Sequence, residues 1–150
     1  MSRRLQARLA DDRGSAVILA AVAMTALLSV VALAVDVGML YTARGEAQRV
    51  ADAAALAGAA GFIEEPKSPE PRARALALDY ASQNSVREQM VVLLEEDGEV
   101  DVGARRVTVT VRRAGDRGNA IGTWFARIFG VDEVDIAARA TDEDTGTGPI

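Results

Sequence analysis

The pattern of apolar and polar positions changes abruptly near the start of the chain. Ser15 to Val35 is a stretch of 21 residues without a charge. At about 1.5 Å per residue, a helix of this length extends about 31 Å, close to the ~30 Å hydrocarbon core of a bilayer. A buried helix of a globular protein rarely runs so far without a polar face. The apolar region of a cleaved signal peptide is shorter, about 7–15 residues. The pattern therefore predicts an uncleaved anchor with residues 15–41 as the transmembrane helix, and leaves a secreted domain with a cleaved signal as the alternative.

The segment after the anchor, residues 42–61, is dominated by Ala, the best helix former. No Pro occurs before Pro66, so the membrane helix is predicted to continue as one rod to about Ala60. Small residues recur at a spacing that lets two helices approach closely, namely Ala47, Ala51, Ala55 and Ala59, with Gly58 in a parallel row. This stripe predicts a packing face for a partner helix or for the protein's own domain. High helix propensity alone is the other interpretation.

Asp36 interrupts the apolar stretch, and it allows two interpretations. A carboxylate at the outer end of the helix can simply mark the end of the span, with Tyr41 as a residue of the interfacial aromatic belt. Alternatively, the carboxylate can pair with another membrane subunit, since ionisable groups within membranes are often functional. The sequence leaves both open.

The remaining chain predicts a small α+β domain outside the membrane. Residues 62–68 form a charged, Pro-rich linker, residues 69–141 form the domain, and residues 142–150 form an acidic, disordered tail. Ser68 is predicted to cap a helix from Pro69 to Asn84. Alternating or short apolar runs predict strands at 90–94, 99–102, 106–113 and 134–140, and a short helix capped by Asn119 and ended by Gly130 precedes the last of them. With 99–102 and 106–113 joined through Gly103 and counted together, the order that we expect is helix–strand–strand–helix–strand.

Three aromatic residues of this short helix, Trp124, Phe125 and Phe129, recur at helical spacing. Aromatic residues in such a pattern usually face inward, so the sequence favours a core cluster. A surface that docks a partner is the competing interpretation.

Charge and composition restrict the function. The four arginines of residues 1–14 outnumber their two aspartates, whereas the whole chain carries −5. A basic segment before the span predicts that residues 1–14 are cytoplasmic and that the domain lies outside. The acidic remainder argues against nucleic-acid binding. Without Cys or His, and without a phosphate loop or nucleophile motif, the sequence predicts neither an enzyme nor a cofactor, metal or small-molecule substrate site.

The combined pattern of residues 12–60 resembles the N-terminal region of TadE/TadG-like Flp pilus-assembly proteins. Four features carry the resemblance: Arg13-Gly14 before the apolar span, the run from Ala34 to Gly38 that contains Asp36, Tyr41, and the run from Ala51 to Gly58 that follows Gln48. Gly38 and Tyr41 thereby join Asp36 and the small-residue stripe as candidate membrane or partner-packing residues. The sequence departs from a pilin at one point, because the fifth residue after Gly14 is Leu19 where prepilin processing favours Glu.

The resemblance implies a single-pass protein of the bacterial inner membrane, with a long transmembrane and Ala-rich α-helix before its small α+β domain. It implies a structural or assembly role in a Flp-type pilus or tight-adherence secretion system. The expected partners are the lipid bilayer and other membrane proteins of that system. An anchored or secreted binding domain unrelated to pili is the alternative function.

Overall fold

The computed structural model describes residues 12–145, with residues 12 and 13 described by their backbone alone. One helix, α1 (Asp12–Glu64), runs without a break through the predicted span and the Ala-rich segment. The predicted single rod is therefore confirmed, and its length of 53 residues corresponds to about 80 Å. Within it, Gly14–Glu64 forms a helix that is long and apolar enough to cross a membrane.

A second helix and two long strands build the rest of the domain. The elements are α2 (Pro69–Ser82), β1 (Ser85–Val86), β2 (Gln89–Met90), β3 (Gly98–Asp101), β4 (Arg106–Arg113), β5 (Ile121–Gly122), β6 (Glu133–Val134) and β7 (Ile136–Glu143). Short 3-10 turns occupy Glu95–Asp97, Gly115–Arg117 and Ala126–Phe129. A long apolar helix followed by a small domain of helix and antiparallel sheet confirms the coarse fold class.

The sheet is antiparallel, with β4 in the centre between β3 and β7. The pairing of β4 with β7 runs over all eight residues of β4, from Arg106 opposite Glu143 to Arg113 opposite Ile136. β1 pairs with β2 and β5 pairs with β6 as separate two-stranded ribbons. The strands predicted from alternating valines and alanines are thus confirmed as β4 and β7. In β7 the buried residues Ile136, Ala138 and Ala140 alternate with exposed ones, whereas in β4 the face opposite the valines is largely covered as well.

The C-terminal half of α1 belongs to the core of the domain. Val107, Val109 and Val111 of β4 are buried together with Ala138 and Ala140 of β7. This apolar face packs against α1 and α2. The residues of α1 that join the core are Ala43, Ala47, Val50, Ala51, Ala54, Ala55 and Phe62. The small side chains allow α1 to lie close to both α2 and the sheet.

Several local predictions are wrong at their boundaries. Helix α1 includes residues 62–64, which the sequence assigned to the linker. The run 90–94 forms a strand only at Met90, where β2 ends. The tail does not begin at Asp142, because Asp142 and Glu143 belong to β7 and Asp144 pairs with Arg105. Ser68 precedes α2 as predicted but makes no side-chain capping hydrogen bond. The rest of the predicted tail, residues 146–150, lies outside the described residues, as does most of the basic segment 1–14.

The predicted helix after Asn119 is also wrong. The segment forms the short strand β5 and then a 3-10 turn from Ala126 to Phe129. Gly130 ends that turn as predicted, and its φ of 84° is in the left-handed region that glycine adopts without strain.

Candidate membrane and partner interface

Asp36 is buried although most of the helix around it is exposed. Its residue exposure is 2%, whereas Val35 and Val37, its neighbours on α1, are more than half exposed. The side chain is covered by a segment 88 to 90 residues further along the chain. An acidic residue at the outer end of the apolar stretch is therefore enclosed by the protein itself.

The Asp36 carboxylate accepts three backbone hydrogen bonds. Trp124 N–H donates to Oδ1 at 3.0 Å, and Phe125 and Ala126 N–H groups donate to Oδ2 at 2.8 and 2.6 Å. These donors begin the 3-10 turn Ala126–Phe129, and the first N–H groups of a helical turn have no partner within it. A capping side chain next to a helical turn normally accepts hydrogen bonds from these first N–H groups. Here the acceptor is Asp36, which lies on a helix distant in sequence. Contact with another membrane subunit, the alternative that the sequence allowed, stays a prediction.

The segment that Asp36 holds is an apolar loop, which we define as residues 124–131. Its large side chains are exposed, including Trp124 at 66% and Phe129 at 70%. The prediction that Trp124, Phe125 and Phe129 form a core cluster is therefore wrong. A 3-10 turn held at the side of the domain has no opposing layer that could cover these rings. The competing interpretation, a surface that docks a partner, requires exposed side chains but stays a prediction.

A groove separates the apolar loop from the apolar N-terminal half of α1. Its volume is about 490 Å³. On the loop side it is lined by Phe125, Ile128 and Phe129, and on the helix side by residues between Thr25 and Val35. The hydroxyls of Thr25 and Ser29 on the helix wall donate to carbonyl oxygens of α1 itself, at 2.9 and 2.8 Å. The polar atoms of both side chains are thereby satisfied, and the groove is largely apolar.

The small-residue stripe faces the protein's own domain, one of the two partners that the sequence left open. Ala47, Ala51, Ala55 and Ala59 are all buried, and Gly58 is buried beside them. A Cβ atom on Gly58 would lie 2.8 Å from Val107 Cγ1 and 3.3 Å from Ala77 Cβ. The spacing thus allows close approach of α1 to α2 and β4.

The remaining two candidates are exposed. A Cβ atom on Gly38 would meet nothing within 4 Å, and Tyr41 is 82% exposed. Neither lies beside the domain core. Their position just beyond Asp36 agrees with an interfacial location, but their contact with lipid or a partner stays a prediction.

Sequence analysis missed two arginines, one buried and one half-buried, that organise the loops of the domain. Arg113 donates hydrogen bonds to the carbonyl oxygens of Val86 and Asn119 and to Gln89 Oε1. Burial lowers the pKa of Arg113 from its usual range, and the charge of Arg87 lowers it further. The alternation of β4 could have shown that Arg113 falls on the same face as Val107, Val109 and Val111, and is therefore buried.

Arg117 is the second of these arginines. Its Nη1 lies 2.6 Å from Asp97 Oδ2, and its Nη2 lies 3.0 Å from Asp97 Oδ1. The hydrogen bond to Asp97 raises the pKa of Arg117 above its usual range, and the charges of Asp97, Glu96 and Asp116 act in the same direction. Asp97 follows two other acidic residues and precedes Gly98, so the local sequence offers no sign that it is buried.

Over residues 12–145, the fold and these contacts define a chain with one helix that could cross a membrane, and the C-terminal half of this helix is part of a small α+β domain. Residues 14–61 match the family model Tad, described as putative Flp pilus-assembly TadE/G-like. The match confirms the resemblance found in the sequence and coincides with nearly all of α1. The family is one of pilus assembly and is not known for catalysis. No curated protein and no solved structure matches the chain.

Proposed function

We propose that the protein is a structural or assembly component of a Flp-type pilus or tight-adherence secretion system, anchored in the bacterial inner membrane by α1. The observation that carries the proposal is the family match over residues 14–61, which coincides with the apolar helix and its Ala-rich continuation. Other membrane proteins of the same system are the partners that we propose.

The exposure of α1 supports the anchor. None of the most apolar 18-residue window of this helix is covered by the rest of the chain. In water, such a surface would far exceed the apolar patch of an ordinary soluble monomer. A bilayer covers it, and a helix satisfies its own backbone hydrogen bonds there. The arginines of residues 1–14 support a cytoplasmic N-terminus and an extracytoplasmic domain.

The architecture argues against the alternative of a secreted domain. Cleavage near Ala57-Gly58 would remove Ala43, Ala47 and Ala51 from the core that they share with α2 and the sheet. Cleavage just after residue 41 would spare most of that core but would remove Asp36 and leave three N–H groups of the apolar loop without their acceptor. The anchor and the domain are therefore one folded unit through α1.

Deletion of the gene tests the role in the pilus system. We expect loss of surface adhesion and of pili, with recovery when the full chain is supplied. A variant with Leu27→Arg and Leu28→Arg should fail to restore adhesion, because each Arg in mid-span costs about 2.5–3.5 kcal/mol on insertion scales. The matched variant with Leu27→Ala and Leu28→Ala should restore it. Normal adhesion and piliation in the deletion strain would contradict the proposal.

The orientation can be measured cleanly, because the chain contains no Cys. We expect Ser68→Cys, an exposed position between α1 and α2, to react with a membrane-impermeant maleimide in intact spheroplasts. Ser2→Cys should react only after lysis, because the basic N-terminus stays in the cytoplasm. The reverse pattern would show that the protein is inserted the other way round.

A further inference from the structure

We propose that the apolar loop enters the outer leaflet of the bilayer and forms a second membrane contact, held against the span by Asp36. The inference rests on the proposed anchoring of α1, and it assigns the groove between loop and helix to lipid acyl chains. Three independent features support it: the depth of the groove, the hydrogen bonding of the loop backbone, and the distribution of its side chains.

The depth follows from the helix wall of the groove. That wall extends from Val35 down to Thr25, a rise of ten residues, or about 15 Å along the helix. The uncharged stretch of the predicted transmembrane helix covers residues 15–35, so the wall corresponds to about the outer half of a ~30 Å hydrocarbon core. Side chains that face this wall, namely Phe125, Ile128 and Phe129, lie beside a lipid-exposed helix surface. If α1 spans the membrane, these side chains lie at the depth of the outer leaflet.

Backbone N–H groups of the apolar loop have hydrogen-bond partners within the protein, as a lipid environment requires. Irregular backbone within lipid is costly unless its polar groups have partners in the protein. Asp36 satisfies the N–H groups of the first three loop residues. The later N–H groups of Ile128, Gly130 and Val131 donate to the carbonyls of Phe125, Arg127 and Ala126, respectively. These backbone N–H groups therefore donate to Asp36 or to carbonyls within the loop and do not need water as an acceptor.

The side chains are arranged as in an interfacial segment. Arg127 is the only charged residue of the apolar loop, and with Trp124, Gly122 and Thr123 it lines a shallow depression on the surface. A long basic side chain beside a Trp can reach the headgroups while neighbouring apolar groups enter the acyl region. Asp132 and Glu133 follow the loop and are exposed, which marks the return of the chain to water.

Lipid fits the groove better than a second protein helix does. Helices associate in membranes through small-residue contacts and hydrogen bonds between polar side chains. The small-residue stripe of α1 is already buried in the domain, and the hydroxyls of Thr25 and Ser29 donate within α1. The groove also continues into the uncovered apolar surface of the span, which the bilayer would surround in any case.

Trp124 is the only Trp of the chain and therefore provides a direct test without any label. The full chain is reconstituted into phosphatidylcholine and phosphatidylglycerol vesicles with or without dibrominated acyl chains. We expect bromine near the headgroup end of the chains to quench Trp124, and aqueous iodide to quench it little. The control variant carries Trp124→Phe and Leu56→Trp; position 56 lies twenty residues beyond Asp36 on α1, or about 30 Å, so its Trp should respond to iodide alone.

The outcomes test the position of the loop and the anchoring of α1 separately. If the protein floats with the vesicles and resists alkaline extraction while Trp124 responds to iodide alone, the loop is in water and the inference is overturned, although the anchor stands. If the protein is released by alkaline extraction, the anchoring itself fails. A Trp124 shielded from both bromine and iodide would indicate a second protein chain in the groove and would also overturn the inference.

A substitution tests the role assigned to Asp36. In Asp36→Ala the three loop N–H groups lose their acceptor, so we expect weaker bromine quenching of Trp124 and greater iodide quenching, with flotation unchanged. Quenching by bromolipid equal to that of the unsubstituted protein would show that Asp36 does not hold the loop in the leaflet.

Discussion

Replacement of Arg117 by Met is expected to destabilise the outer domain by about 3–5 kcal/mol, because removal of one partner leaves the other charge buried and unpaired. The Asp97 side chain is 2% exposed, and both of its oxygens accept hydrogen bonds from the Arg117 guanidinium. Asp97 Oδ2 also accepts the N–H of Leu94 and thereby shapes the turn before β3. Without the guanidinium, that turn would have to open to bring Asp97 to water. The free energy of unfolding is measured from urea-dependent proteolysis of the full chain in detergent micelles.

A matched control separates this ion pair from its exposed neighbour. Glu96 also contacts Arg117, at 2.7 Å, but its side chain is 68% exposed. Glu96→Gln should change the free energy of unfolding by less than about 1 kcal/mol, as is usual for an exposed ion pair. A double variant with Arg117→Met and Asp97→Leu should recover part of the loss, since it leaves no buried charge. An equal loss in Glu96→Gln and Arg117→Met would refute the assignment of the effect to Asp97.

The raised pKa of Arg117 predicts how the stability of the domain depends on pH. The hydrogen bond to Asp97 raises that pKa in the folded protein above the value in the unfolded chain. The contribution of the cation is therefore fully present below the unfolded value and is lost only as the pH rises through the higher folded value. Because both values lie in the strongly alkaline range, the difference in stability between the unsubstituted protein and Arg117→Met should persist through moderately alkaline pH.

Replacement of Gly61 by Ala is expected to destabilise the domain by about 1–3 kcal/mol, as for other overpacked cores. A Cβ atom at residue 61 would lie 2.5 Å from the backbone nitrogen of Ala73 and 2.6 Å from its Cα. Neither atom can move without displacing α2. The substitution should therefore separate α1 from α2 where they pack most closely, and expose the buried ring of Phe62.

Gly45→Ala provides the control for the Gly61 prediction on the same helix. Its Cβ would meet only Arg49 Nη1, at 3.7 Å, at the end of a flexible side chain. Ala is preferred over Gly within a helix by about 0.5–1 kcal/mol, so this variant should be neutral or slightly more stable. Proteolysis in urea compares the two variants. Similar stability of both would show that the contact between α1 and α2 accommodates a methyl group.

Long periodic segments were the part of the fold that could be predicted from sequence. The uncharged run and the Ala-rich segment predicted α1, and the alternation of valines and alanines predicted β4 and β7. In each case, the same local preference for helix or for strand recurs over eight or more residues. It also agrees with the pattern of buried positions in the fold. A short run such as 90–94 contains too few residues for a repeated pattern. The pairing of β2 with β1 decided its structure.

The candidate site was predicted in part. The sequence singled out Asp36 and the small-residue stripe, since a charge within an apolar run and a four-residue spacing of Ala are visible locally. It did not predict that Asp36 is buried against a loop of the same chain. The apolar loop was recognised as a group of residues but was placed inside the core. Helical spacing indicates which residues share a face, but not whether another layer lies opposite that face.

The sequence by itself determined that a helix contains the uncharged stretch 15–35, that this helix continues into an Ala-rich segment matched by the Tad family model, and that a small α+β domain follows. These features depend on neighbouring residues along the chain. Only the tertiary structure decided that Asp36 accepts hydrogen bonds from its own loop and that the aromatic side chains there are exposed. Both depend on contacts across nearly 90 residues, and such contacts arise from the packing of the whole domain rather than from any local periodicity.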